Sequence, residues 1–131
     1  MGEAGSIYFI TIACDVRGRN QLCRPNIGHA LLNSVRYDHD RHDWYVHLFL
    51  LMPDHAHALL AAAPDKALAT LIGNWKRYAT TKYGISWQKN FIDHRLRSDE
   101  SWEEKAAHIR ANPARAGLVR DGESWPYVFE A

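Results

Sequence analysis

Two long apolar runs, Trp44 to Met52 and His55 to Ala62, are separated only by Pro53-Asp54. Each run is long enough for a strand, and a break that short can only reverse the chain, so the pair reads as an antiparallel hairpin. An isolated hairpin is marginal in water, and the rest of the chain must supply further strands or helices to cover it.

The flanking segments read as those layers. Ile7 to Ala13 is rich in β-branched and aromatic residues and ends in a polar loop around Arg17, Gly18 and Arg19, which predicts a first strand. From Pro25 to about Asp40, Ile27, Ala30, Leu31, Ser34 and Val35 recur at helical spacing, with Pro25 in the first turn. Lys66 to Tyr83 places Leu68, Leu71, Ile72, Trp75 and Ala79 on one face and stops at Gly84. Phe91 to Leu96 predicts a fourth strand. Ser98 or Asp99 then caps a helix whose Glu100, Glu103 and Glu104 suit its positive end, and which runs to about Asn112 before Pro113 stops it. Gly117-Leu118-Val119 leads into an aromatic tail, Trp125, Tyr127 and Phe129, expected to pack back on the body. The order β-α-β-β-α-β predicts an α+β fold, a ferredoxin-like antiparallel sheet with helices on one face, plus a C-terminal helix and aromatic tail. At 131 residues, positions 1–131 form a single domain.

Charged residues make up 24% and hydrophobic residues 47%, the balance of a soluble globular chain, and the net charge is only +1. Nucleic-acid binding therefore needs a local patch. One runs from Trp75 through Lys76, Arg77, Lys82 and Lys89 with Tyr78, Tyr83 and Trp87 interleaved, although the same pattern also describes a solvated amphipathic helix. Cys14 and Cys23 lack zinc spacing or a redox-pair motif, which predicts reduced thiols. With no visible signal peptide and no apolar run near ~18 residues, the expectation is a soluble, cytoplasmic protein without a membrane partner.

His55-Ala56-His57 opens the third strand, where period-two geometry points both imidazoles to one sheet face and offers two nitrogen ligands. Alone, a His-X-His pair is more often structural. Four short motifs accompany it in order: Met52-Pro53-Asp54-His55-Ala56-His57, Trp87-Gln88, Asp93-His94-Arg95-Leu96-Arg97, and Asn112-Pro113-Ala114-Arg115-Ala116-Gly117-Leu118-Val119. Together, over nearly the whole chain, they resemble the REP-associated tyrosine transposases, single-tyrosine HUH enzymes related to insertion-sequence transposases.

The resemblance implies a nuclease whose two histidines, here His55 and His57, hold Mg²⁺ or Mn²⁺ against the scissile phosphate of single-stranded or hairpin DNA. It implies a third metal ligand at Asn112. DNA contacts are expected from Lys76, Arg77, Tyr78, Lys82 and Trp87 of the basic patch, and the resemblance adds His94, Arg97 and Arg115, in a monomer or a homodimer. In that family a tyrosine on the last helix attacks the phosphorus, giving a 5′-phosphotyrosine link and a free 3′-hydroxyl. Its position, four residues before Asn112, holds His108. An imidazole cannot form that link. The sequence leaves open a catalytically silent hairpin-DNA-binding regulator, a nuclease using His108 or water, and a nucleophile moved to Tyr78 or Tyr127. A metal- or small-ligand module unrelated to DNA is a further alternative. His94 and Arg97 read equally as phosphate contacts or structural residues, and Asp54 as the closure of its turn ahead of an acceptor for His55. His29, His39, His42 and His47 read as structural or exposed.

Overall fold

The computed structural model describes residues 6–131 and is built on a five-stranded antiparallel sheet. Its strands are β1 (Tyr8–Ala13), β2 (Trp44–Met52), β3 (His55–Ala62), β4 (Ile92–Arg95) and β5 (Val128–Glu130), in the order β4-β1-β3-β2-β5. The Pro53-Asp54 reversal sets the hairpin register, with Met52 opposite His55 and Trp44 opposite Ala62, and one register shift between Val46 and Leu48. On the other side of β3, Thr11 of β1 stands opposite His57 and Ala13 opposite His55. The histidine-bearing end of β3 is thus held by hydrogen-bonded strands on both sides, a rigid support for a site.

Side-chain alternation divides the sheet into two cores. Ile10, Ile12, Phe49, Ala58 and Leu60 pack with Leu31 and Val35 of α1 (Pro25–Asp40) and Ile72 and Trp75 of α2 (Leu68–Tyr83). Leu48, Leu50, Met52 and Leu59 point the other way, onto Ala106 and Ile109 of α3 (Trp102–Arg110). Each such buried Leu, Ile or Phe contributes about 1.5–3 kcal/mol. The ferredoxin-like arrangement with α1 and α2 on one face is as expected, and the C-terminal helix closes the opposite face.

Element ends differ from the sequence reading for identifiable reasons. Helix α3 starts one turn later than the Ser98 or Asp99 cap: Ser101 is the N-cap, its hydroxyl accepting from the Glu104 N–H at 3.3 Å. Ser101-Trp102-Glu103-Glu104 carries the Ser-x-x-Glu signature of a helix start. Pro113 does not simply end the helix. A short second helix, α4 (Asn112–Arg115), follows at once with Pro113 in its first turn, where a missing N–H costs nothing. The aromatic tail also does more than pack back, because β5 extends the sheet beside β2. Among the described residues no helix is long and apolar enough to cross a membrane.

The tail is locked against α1 at Gly28. A Cβ there would lie 2.5 Å from Tyr127 Cδ1 and 2.9 Å from the Leu22 carbonyl oxygen, which is backbone and cannot give way. Gly28→Ala is expected to lower stability by about 1–3 kcal/mol, read as a falling urea midpoint at unchanged slope. An unaltered midpoint would show that the tail is not seated there.

Candidate functional site

His55 and His57 lie on the α3 side of the sheet, in phase with Leu59. Their ring centroids are 4.7 Å apart at 82°, and the His57 ring meets Phe9 at 5.9 Å. Both rings are pinned through Nδ1. His55 Nδ1 lies 2.7 Å from Asp54 Oδ1, and His57 Nδ1 lies 3.1 Å from the Thr11 hydroxyl. Asp54 is itself held: its Oδ2 accepts from the Gly18 N–H at 2.7 Å and from Arg17 Nε at 2.9 Å. Burial alone would raise the Asp54 pKa, but the hydrogen bonds from Arg17, Gly18 and His55 outweigh it and hold the carboxyl well below the usual range. An ionised Asp54 must accept from His55, so the His55 proton sits on Nδ1 and the Nε2 lone pair is left for a ligand.

Burial, then the nearby charges of His55, His108 and Arg17, push the His57 pKa down from 6.5 to about 4. The ring is neutral at physiological pH, the form that ligates metals. As pH falls the unfolded chain takes up this proton first. Stability is therefore full above pH 6.5 and erodes between there and pH 4, by about 3 kcal/mol in all. The depressed Asp54 carboxyl acts in the same direction, at lower pH. Denaturant midpoints taken at about pH 7 and about pH 4.5 should drop less in His57→Gln than in the parent; equal drops would exclude His57 as the source.

The exposed His108 sits in the last turn of α3, near enough for its charge to act on His57. Arg115, carried back by α4, places Nη2 2.8 Å from the His108 carbonyl oxygen and 3.1 Å from His108 Nδ1. Asn112 opens α4, one turn beyond His108. Among the described residues, no cluster of three or more His, Cys, Asp or Glu side chains is placed to hold a metal. The histidine pair is therefore an open donor set, able to take an amide oxygen, water and a phosphate oxygen beside the two imidazoles.

The other residues singled out from the sequence lie in two groups. Lys76, Arg77, Tyr78 and Lys82 ride on α2, across the sheet from the histidine pair. Lys76 donates to the carbonyls of Gln88 at 2.9 Å and Lys89 at 3.4 Å, and Trp87 Nε1 donates to the Lys76 carbonyl at 3.0 Å while its ring packs on Trp75. These two residues fasten the chain leaving α2. Arg77 bonds Asn74, and Tyr78 meets Tyr83 at 6.2 Å between ring centroids. With the sheet between them, Tyr78 is badly placed to act at the histidine pair. His94 stands opposite Phe9, on the histidine face, and bonds Glu100 at 2.9 Å; Arg97 pairs with Asp99 and Glu100. Cys14 and Cys23 are free, and burial pushes both thiols up to about 12, which makes them inert.

Sequence reasoning missed Arg17, Gly18, Thr11 and Glu100. Thr11 was within reach, because it alternates with buried Ile10 and Ile12 and so had to share a face with the histidines. Asp54 does what was ranked second for it, taking the His55 ring proton.

The chain is 24% identical over 129 residues to the REP-associated tyrosine transposase of Escherichia coli (strain K12), covering 94% of this chain and 75% of that one. A Haemophilus influenzae relative is 24% identical over 140 residues, covering 94% and 78%. Among solved structures, a REP-associated tyrosine transposase bound to a REP hairpin superposes with a TM-score of 0.81 at 20% identity, covering 95% of this chain and 76% of the other. A Deinococcus radiodurans structure gives 0.56 at 17% identity, covering 83% and 92%. The family described as "Transposase IS200 like" matches residues 7–108. That span covers well over half of the chain, takes in β1 to β4 with α1 and α2, and ends on His108 within α3, so this chain belongs to the IS200-like transposase family.

Proposed function

We propose that the protein binds single-stranded DNA folded as a hairpin and seats one phosphodiester at the His55–His57 pair, with tyrosine-type strand transfer lost at His108. The observation that carries this reading is the pinning of both imidazoles through Nδ1, with Asp54 directing the His55 Nε2 lone pair to a ligand. The donor set fits a divalent cation, with His55, His57 and the Asn112 amide as protein ligands. When bound, Mg²⁺ or Mn²⁺ would polarise the phosphate and favour nicking.

The chain's own groups do the rest. Arg17 and Gly18 fix Asp54, and Thr11 orients His57. Arg115, His94 and Arg97 on the histidine side are proposed to meet the backbone near the site. Exposed Arg77, Tyr78 and Lys82 would take DNA that passes around the sheet, and the buttresses Lys76 and Trp87 would hold that surface in shape. Such a partner suits the cytoplasm, where two free thiols persist.

The silent hairpin-binding regulator is the second reading, and His108 with its Nδ1 engaged favours it over nicking. Fluorescence anisotropy on a hairpin oligonucleotide tests the shared core of both. Binding is expected to weaken steeply with salt, and His55→Ala/His57→Ala should abolish its stimulation by Mn²⁺ but keep metal-free binding. No affinity at low salt would overturn the DNA reading. Metal-stimulated nicking by the unaltered protein would favour the enzyme over the regulator.

A further inference from the structure

We infer that His108 and Arg115 form a phosphate clamp: two hydrogen-bond donors that grip one phosphodiester beside the histidine pair, with His108 holding that phosphate and not attacking it. The inference rests on the DNA-binding reading above and assigns His108 a role that its place in the sequence does not suggest.

A guanidinium has N–H donors and no acceptor. The Arg115 Nη2 contact at 3.1 Å therefore uses the lone pair of His108 Nδ1, and the same Nη2 is anchored by the His108 carbonyl at 2.8 Å. A neutral imidazole carries one ring proton, which must then sit on Nε2. A nitrogen bearing that proton has no lone pair to offer phosphorus; it can only donate. The Arg115 contact thus converts the residue at the nucleophile's position into an oriented N–H group.

The charge around the pair points to an anion. Arg17, Arg97 and Arg110 each face a carboxylate; Arg115 and several other exposed arginines take part in no ion pair among the described residues, but Arg115 differs from them in bonding a histidine at the candidate site. Its partner is the histidine, and both side chains are exposed. Two donors, neither of them in an ion pair among the described residues, match the two non-bridging oxygens of a phosphodiester. Residues seven apart meet because α4 turns the chain back, with Pro113 buried beneath it and Gly117, at φ +75°, ending the turn.

The test uses hairpin oligonucleotides in which one phosphate at a time is replaced by a neutral methylphosphonate. His108→Ala and Arg115→Ala are each expected to weaken hairpin binding roughly 10-fold, and the double variant little more than either alone, because the clamp acts as a unit. One methylphosphonate position should weaken the parent protein comparably and leave the variants unchanged, which a structural role would not produce. Ring ¹⁵N NMR should find the Nε2–H tautomer of His108 in the parent and a mixed population in Arg115→Ala. If Arg115→Ala fails to fold, His108→Ala and His108→Asn, at an exposed helix position, carry the same test. Normal hairpin binding with no phosphate position sensitive to these substitutions would overturn the clamp and leave the DNA reading standing. Absence of hairpin binding by the parent would remove both.

Discussion

His108→Tyr is expected to turn a protein that holds hairpin DNA without bonding to it into one that forms a covalent adduct, seen as a shifted band on a denaturing gel in Mg²⁺ or Mn²⁺. Ala106 and Ile109 seat α3 on Leu48, Leu50 and Leu59, so residue 108 keeps its place near His57 whatever its side chain. The position is exposed, and a phenol enters without overpacking. The imidazole it replaces has Nδ1 engaged by Arg115 and Nε2 protonated; a phenol oxygen has lone pairs free. That oxygen would attack phosphorus, the bond to the 3′ oxygen would break, and the 3′ oxygen would leave as a hydroxyl after taking a proton. Removing a covalent nucleophile elsewhere costs roughly 10⁶-fold in rate, so the change should read as absent against present. An adduct from the unaltered protein would mean that His108, as a phosphoramidate, or another residue attacks, and would overturn the reading of His108 as a donor if it maps there. No adduct from the tyrosine variant, despite hairpin binding, would mean that the site does not hold the phosphate in line.

The order of elements was legible because period-two and helical patterns are strong in this chain, and because a Pro-Asp break between two apolar runs admits one topology. Which face each helix covers was less so. The α3 stripe is short, Ala106 and Ile109 alone being buried, and its destination depends on the sheet surface left open once α1 and α2 are seated. The histidine pair could be placed on one face from spacing, but its supports could not. Arg17 and Gly18 are 37 and 36 residues from Asp54, and Thr11 is 46 from His57. Those contacts follow from strand register and from the loop after β1 folding onto the Pro53 carbonyl, where the Gln21 and Leu22 N–H groups bind. Lys76 and Trp87 show the converse. As a string they read as an exposed basic and aromatic surface, yet hydrogen bonds and packing draw both inward.

Asp54→Ala should produce the largest loss of any single change outside the two imidazoles, because one carboxylate serves three partners. Its Oδ1 takes the His55 ring proton, and its Oδ2 takes the Gly18 N–H and Arg17 Nε. Removing it frees the His55 ring to rotate or to move its proton to Nε2, where it would block the ligand lone pair. Loss of such a partner costs roughly 10–100-fold in metal affinity, and Mn²⁺ titration should show a fall of that size. The Arg17 pair itself adds little stability, since Arg17 is 54% exposed, and the exposed Gly18 N–H can turn to water, so the loss falls on the aim of the His55 ring and not on the fold. Asp54→Asn keeps one oxygen but cannot serve His55, Gly18 and Arg17 with the same charge, and should fall between parent and alanine in Mn²⁺ affinity. His55→Ala is the reference. If that variant lost Mn²⁺ while Asp54→Ala bound it as tightly as the parent, His55 would be a ligand held by β3 alone. The chain from the Arg17–Gly18 loop through Asp54 to the ring would then be mechanical support for the loop, with no part in aiming the lone pair.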